Sequence, residues 1–140
     1  MTALEAMAAL DELRHNDFPR ERKLAWLSEL DWAAKLLVLD THEAPAPAAP
    51  GICQTPGAAP GSTVPFSGYG PDTPGDTRLL IPEPFCAVYL HWLTAQVCYH
   101  QSEWEDYNAA TARFNEAWQR FSAHHTRTHR PLARQSRFRF

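Results

Sequence analysis

The sequence predicts an all-α protein with about four helices, of which the last two form an antiparallel hairpin, plus a long Pro/Gly-rich loop and an extended basic tail. Three observations support this fold class. Apolar residues recur at helical spacing before residue 42 and again after residue 84. Thr or Ser is twice followed by Glu three residues later, which is the pattern of a capping box. All six glycines and ten of the twelve prolines fall within residues 45–84, which excludes a continuous helix there.

The chain has 140 residues, enough for a single core, so we expect residues 1–140 to form one helical domain. It contains no apolar run of about 18 residues, and its first residues include acids where a secretion signal begins with basic residues. We therefore expect a protein that is made in the cytoplasm and contacts no membrane. The three cysteines are an odd number without a CxxC pair, which predicts neither a disulfide framework nor a structural zinc site.

The first helix is predicted over about residues 3–14. Thr2 and Glu5 form a capping box at its start, so its first backbone N–H groups have acceptors. Its apolar stripe consists of Leu4, Met7, Ala8 and Leu13.

The second helix is predicted from about Pro19 to Thr41. Asn16 or Asp17 is expected to cap it, and proline suits its first turn. Its apolar stripe consists of Leu24, Leu27, Leu30, Ala34, Leu37 and Val38. Trp26 and Trp32 lie off this stripe, so we expect them to make contacts beyond the core of the domain.

The third and fourth helices are predicted to form the hairpin. The third begins at Pro84 and ends near His100, with an apolar stripe of Phe85, Val88, Tyr89, Trp92, Ala95, Gln96 and Tyr99. Ser102 and Glu105 form the second capping box, and the fourth helix continues to about His125. Its stripe consists of Tyr107, Ala110, Phe114, Ala117, Trp118 and Phe121. Because the connection is short, the two helices must run antiparallel.

The loop over about residues 44–82 has two parts. Residues 44–65 have the Ala/Pro/Gly composition of a linker. The second part supplies the apolar side chains of Phe66, Tyr69, Leu79, Leu80 and Ile81. Ordering the backbone costs about 1–2 kcal/mol of conformational free energy per residue. Summed over this long segment, that cost is larger than the free energy that burial of these five side chains supplies. We therefore expect them to be buried against a neighbouring copy or another partner.

The tail, about residues 130–140, is set apart by its charge. Residues 117–140 hold six arginines and no acid, whereas residues 1–116 have a formal net charge of −9. In an extended chain the last four side chains alternate, so that the phenylalanines face one way and the arginines the other. Such a strip suits docking on a partner. The predicted partner-binding residues of the tail are Arg134, Arg137, Phe138, Arg139 and Phe140.

The sequence offers no pattern for a catalytic, cofactor or metal site. Neither glycine-rich phosphate-binding motif occurs. His125 and His129 share a helix face, but the glutamate of a zincin motif is missing, which makes a metal-dependent hydrolase using this pair and a carboxylate a weaker alternative. His91 and Cys98, with Cys86 nearby, supply too few ligands for a metal. We predict a protein that is not an enzyme.

The C-terminal half resembles a family of tailed-bacteriophage structural proteins. The runs LLIPEPF, YLHWLTAQVCYHQSEWEDYNAATARFNEAW and HTRTHRP carry the resemblance over about residues 68–131. A PEP-aromatic segment opens a helix and an RTH-x-P segment closes the hairpin. The run RKLAWLSELDWAAKLLVLDTHE shows a weaker similarity. The chain is similar to head-tail connector (adaptor) proteins, and it departs from them in residues 44–65 and in the arginine-rich extension after Pro131.

The resemblance implies a mostly helical protein of the virion neck that needs no cofactor. About twelve copies would form a ring beneath the portal protein, contact a stopper or tail component, and let DNA pass non-specifically through the channel. An acidic body suits such a channel because like charge weakens phosphate binding. The alternative is a DNA-binding packaging accessory or regulator that uses the tail arginines.

Overall fold

The computed structural model describes residues 1–41 and 66–129. Within these ranges the protein is all-α: four helices form, and Thr2 and Arg78 make only an isolated antiparallel bridge. The helices are α1 (Ala3–Leu13), α2 (Arg20–Leu37), α3 (Ala87–His100) and α4 (Trp104–Thr128), and a short 3-10 helix covers Leu39–Thr41. The sequence prediction of an all-α fold is confirmed. Residues 42–65 and the tail from residue 130 lie outside the described part.

α1 begins as its sequence predicts. The Thr2 side chain accepts from the Glu5 backbone N–H, and the Glu5 carboxylate accepts from the Thr2 N–H at 2.8 Å. The next N–H groups, of Ala3 and Leu4, donate to the carbonyls of Thr77 and Gly75 at 3.0 and 2.9 Å. The loop before α3 therefore helps to cap α1, which a helix end needs because its first N–H groups have no partner within the helix.

α2 begins after Pro19 without the predicted side-chain cap. The expectation for Asn16 was wrong because its amide donates to the Asp11 carboxylate and the Arg14 carbonyl, both at 3.0 Å. Trp26 also corrects the prediction, since it is only 5% exposed and stacks on His100. The buried face of α2 is therefore wider than the predicted stripe, because side chains of the loop and of other helices cover residues beside it.

The α3–α4 turn differs from the predicted capping box at Ser102 and Glu105. Glu103 occupies the cap position without a side-chain hydrogen bond, and Ser102 has a left-handed backbone with φ of 58°. The left-handed residue reverses the chain in few residues, which leaves the Ser102 side chain out of capping position. α3 begins three residues after Pro84 because residues 82–86 form turns before it.

α3 lies at the centre of the described bundle. α1 and α2 pack against it and against each other, while α4 packs mainly against α3. Tyr89 is fully buried on the α2 side, whereas His91, about 200° further around the helix, is half-buried on another side. Three leucines of the predicted stripes are instead exposed, because they lie at helix ends beyond the packed layers: Leu4, Leu13 and Leu37.

Candidate functional site

A buried carboxylate, Asp31 of α2, holds the loop to the helices. Asp31 is 0% exposed, and it accepts three hydrogen bonds. The Tyr89 hydroxyl of α3 donates to Oδ1 at 2.5 Å, the Leu80 N–H donates to Oδ2 at 3.2 Å, and the Tyr69 hydroxyl also donates to Oδ2. Because a buried polar group is stable only when it is hydrogen-bonded, these donors and Asp31 depend on one another.

Burial changes the acidity of this group. It raises the pKa of the Asp31 carboxyl above its ordinary value of 3.8, although the tyrosine hydroxyls and the Leu80 N–H oppose the shift. Burial and the nearby carboxyl also raise the pKa values of Tyr69 and Tyr89, so both hydroxyls stay protonated and can donate. Tyr89 in turn accepts from the Ile81 N–H at 2.7 Å. The arrangement is a structural hydrogen-bond network.

This network changes the account of the loop over residues 66–82. Leu79 and Ile81 are 8% and 1% exposed and belong to the core of the chain itself, so their burial needs no neighbouring copy. The expectation of a partner contact was wrong for these two residues. Backbone hydrogen bonds to the rest of the chain also stabilise the ordered loop, including one from the Leu79 N–H to the Met1 carbonyl at 3.1 Å. The Arg20 guanidinium likewise donates to the Thr73 carbonyl at 2.8 Å.

The remaining predicted loop residues lie near the surface. Phe66 is half-buried and packs edge-on against Trp32 and Tyr69, with ring centroids 5.0 and 5.2 Å apart. Leu80 is also half-buried. The predicted tail residues lie outside the described residues: Arg134, Arg137, Phe138, Arg139 and Phe140.

The outer face of α2 is an exposed stripe with a regular pattern. Its members are separated by three, four, three and four residues, so they lie along one side of the helix. Trp32 and Leu36 are 37% and 59% exposed. Glu29, which precedes both on this face, has no ion-pair partner within residues 1–41 and 66–129. We define the outer face of α2 as Arg22, Ala25, Glu29, Trp32 and Leu36.

A groove runs along the opposite side of the bundle, between α3 and α4. It consists of two cavities of about 160 and 290 Å³ that meet at His91 and Arg113. The smaller one is lined by Pro84, Phe85, Ala87, Glu116, Ala117 and Arg120, and the larger one by Leu13, Arg14, Leu90, Thr94, Asp106, Ala109 and Ala110. We call the two together the α3–α4 groove.

The centre of the α3–α4 groove is cationic. Arg113 has no acidic partner among the residues that the structure describes, whereas Arg120 pairs with Glu116 and Arg14 with Asp106 and Glu103. Burial, and then the Arg113 charge, lower the pKa of the His91 imidazole below its ordinary 6.5. His91 is therefore neutral at pH 7, and Arg113 supplies the positive charge at this point.

The histidines considered for a metal site lie at the end of α4. The rings of His125 and His129 stack with centroids 3.9 Å apart. The His129 ring nitrogen Nδ1 lies 3.0 Å from the His125 carbonyl oxygen, so this nitrogen already has a hydrogen-bond partner at the end of α4. In the described part of the chain no group of three or more His, Cys, Asp or Glu side chains is arranged to hold a metal ion.

Comparison with known proteins adds no assignment. No protein-family model, curated protein or solved structure matches the chain. Among residues 1–41 and 66–129, no helix combines the length and apolar character that a membrane crossing requires.

Asp31 is the buried functional group that the sequence interpretation missed. A signal was present, since it follows Leu27 by four residues and precedes Ala34 by three, on the apolar stripe of α2.

Proposed function

We propose that this chain is a virion structural protein, a head-tail connector adaptor whose copies form a ring beneath the portal protein. The ring would give DNA a channel and offer a docking surface to a stopper or tail component in the virion neck. The resemblance over about residues 68–131 motivates the proposal, and this range includes α3, α4 and the loop segment that Asp31 anchors.

The observation that carries the proposal is the open side of α4. This helix has 25 residues, about 37 Å of length, and it packs mainly against α3. Only Ala110, Phe121 and His125 of α4 are buried. At its start, Trp104 is 54% exposed, and Tyr99 of α3, whose ring contacts Trp104, is 50% exposed. Large exposed apolar side chains beside a helix with one covered side suit a subunit that neighbours enclose.

Charge supports a passage for DNA. Residues 1–116 have a net charge of −9, and a channel lined by such a surface would hold phosphates weakly. The arginine-rich end, with six arginines in residues 117–140, also supports the second candidate, a DNA-binding packaging accessory or regulator. Duplex affinity that falls steeply with salt and disappears on deletion of residues 132–140 would favour the second candidate.

Labelling of virus particles tests the adaptor proposal. Virions carrying an epitope-tagged copy of the chain would be imaged after binding of gold-labelled antibody. We expect gold at the junction between head and tail. A particle population that contains none of the tagged chain, although infected cells express it, would contradict the proposal.

A further inference from the structure

We propose that the outer face of α2 in one copy binds the α3–α4 groove of a second copy, with Glu29 opposite Arg113. This inference deepens the proposed function, because it names the two surfaces through which neighbouring copies in the ring would meet.

The two surfaces lie on opposite sides of the molecule. α2 packs on the side of α3 that carries Tyr89, through the hydrogen bond to Asp31. The groove opens on the side that carries His91, about 200° around the same helix. A contact between two different surfaces of identical copies is heterologous, and repetition of such a contact produces a ring or a filament.

The lengths of the two surfaces match. The outer face of α2 extends from Arg22 to Leu36, and the groove follows α4 from Asp106 to Arg120. Each covers fourteen residue steps of helix, about 21 Å. One helix can therefore lie along the whole groove.

The charges match in one register. When α2 runs parallel to α4 and Glu29 faces Arg113, seven residues earlier Arg22 faces Asp106. Both members of the first pair lack an ion-pair partner in the described part of their own chain. Pairing them on association removes two exposed, unmatched charges and orients the two copies.

One apolar side chain has an apolar counterpart in the same register. Trp32 follows Glu29 by three residues and Ala117 follows Arg113 by four, whereas Leu36, seven residues after Glu29, lies opposite Arg120. The exposed indole therefore meets the smaller cavity, whose lining includes Phe85, Ala87 and Ala117. Tryptophan in a cavity of a partner is a common centre of binding energy.

Photocrosslinking of the purified full chain tests the contact. A benzoylphenylalanine replaces Trp32 in one sample and Leu36 in another, because Trp32 also packs on Phe66 whereas Leu36 is more exposed. Each variant is mixed with isotope-labelled wild-type chain, at total concentrations up to about 1 mM to detect weak association. Mass spectrometry then identifies the residues joined between copies.

Crosslinks from position 32 or 36 to residues 84–94 or 109–120 of the other copy support the proposal. Crosslinks confined to other regions, including the chain's own tail, overturn it. It is also overturned if both variants fold, as measured by circular dichroism, and no species larger than a monomer forms at the highest concentration.

Charge reversal provides a second measurement. We expect Glu29→Arg and Arg113→Glu each to weaken self-association at least tenfold, and the double variant to recover most of the loss. Glu12→Arg and Arg78→Glu are the controls, because both residues are exposed and outside the two surfaces. Equal weakening by the controls, or no recovery in the double variant, contradicts the pairing. Self-association through these surfaces without binding to the portal would instead reject the adaptor function and leave the interface intact.

Discussion

The hydroxyl of Tyr89 donates to Oδ1 of Asp31 at 2.5 Å and accepts from the Ile81 N–H at 2.7 Å. One phenol thus joins α2, α3 and the loop before α3. Tyr89→Phe leaves a buried carboxylate oxygen and a buried N–H without this partner. We expect a loss of about 1–3 kcal/mol in the free energy of unfolding, measured by urea denaturation.

Tyr107→Phe is the matched control for Tyr89→Phe. Tyr107 is half-buried and makes ring contacts with Tyr99 and Trp104. Its hydroxyl is not part of the Asp31 network, so the change in stability should stay within about 0.5 kcal/mol. If both variants lose the same stability, the Asp31 network does not hold the bundle as described.

The protonation of Asp31 gives a pH-dependent prediction. Burial raises the pKa of this carboxyl in the folded state above 3.8, so the folded state binds its proton more tightly than the unfolded state does. The resulting stabilisation is fully present below pH 3.8 and is lost as the pH rises through the folded pKa. Asp31→Asn cannot titrate at this position, so the stability of wild type relative to this variant should decline as the pH rises.

Urea denaturation of both proteins from acidic to neutral pH measures this difference. The control variant is Asp72→Asn, because Asp72 is an exposed acid of the loop and lies outside the Asp31 network. The difference in stability between wild type and Asp72→Asn should not follow the same trend. A wild-type advantage over Asp31→Asn that grows with pH would contradict a raised pKa.

Gly68 is a point where the loop backbone favours glycine. Its φ is +87°, and an added Cβ would lie 2.8 Å from Oγ of Ser28. We expect Gly68→Ala to lower stability by about 1–3 kcal/mol. Gly70→Ala is the control, since a Cβ there meets nothing within 4 Å. If the two substitutions have equal effects, the loop does not pass Ser28 as described.

Removal of the tail should separate folding from partner binding. We expect truncation after Leu132 to leave the helical circular dichroism unchanged and to abolish binding to the portal protein. Phe138→Ala with Phe140→Ala should cause most of that loss, because burying a phenylalanine contributes about 1.5–3 kcal/mol and an exposed arginine pair about 0–1 kcal/mol. Normal binding by the double variant would refute an anchoring role for the tail.

Helical periodicity predicted the four helices because each has enough apolar positions to define a buried side, and the capping box of Thr2 and Glu5 predicted the start of α1. The same patterns failed where partners distant in the sequence decide the outcome. Trp26 is buried because His100 and Phe18 cover it, and neither can be read from the α2 stripe. Asp31 looked like an ordinary helix acid because its three donors come from residues 69–89.

The candidate surfaces could be predicted only in part. The position of Trp32 off the apolar stripe predicted a contact beyond the core of the domain, and this side chain is 37% exposed and packs on Phe66. The α3–α4 groove could not be predicted, since it requires the positions of α1, α3 and α4 relative to one another. Leu79 and Ile81 were expected at a contact with a partner, but they are buried in the core of the same chain. This could not be predicted, because the sequence alone does not show which residues distant along the chain pack against them.

Electron cryo-microscopy of the chain mixed with the portal protein of the same virus tests the central claim most directly. We expect a closed ring of repeated copies on the portal, with the outer face of α2 of each copy against the α3–α4 groove of the next. A portal that remains bare while the chain stays monomeric would contradict it.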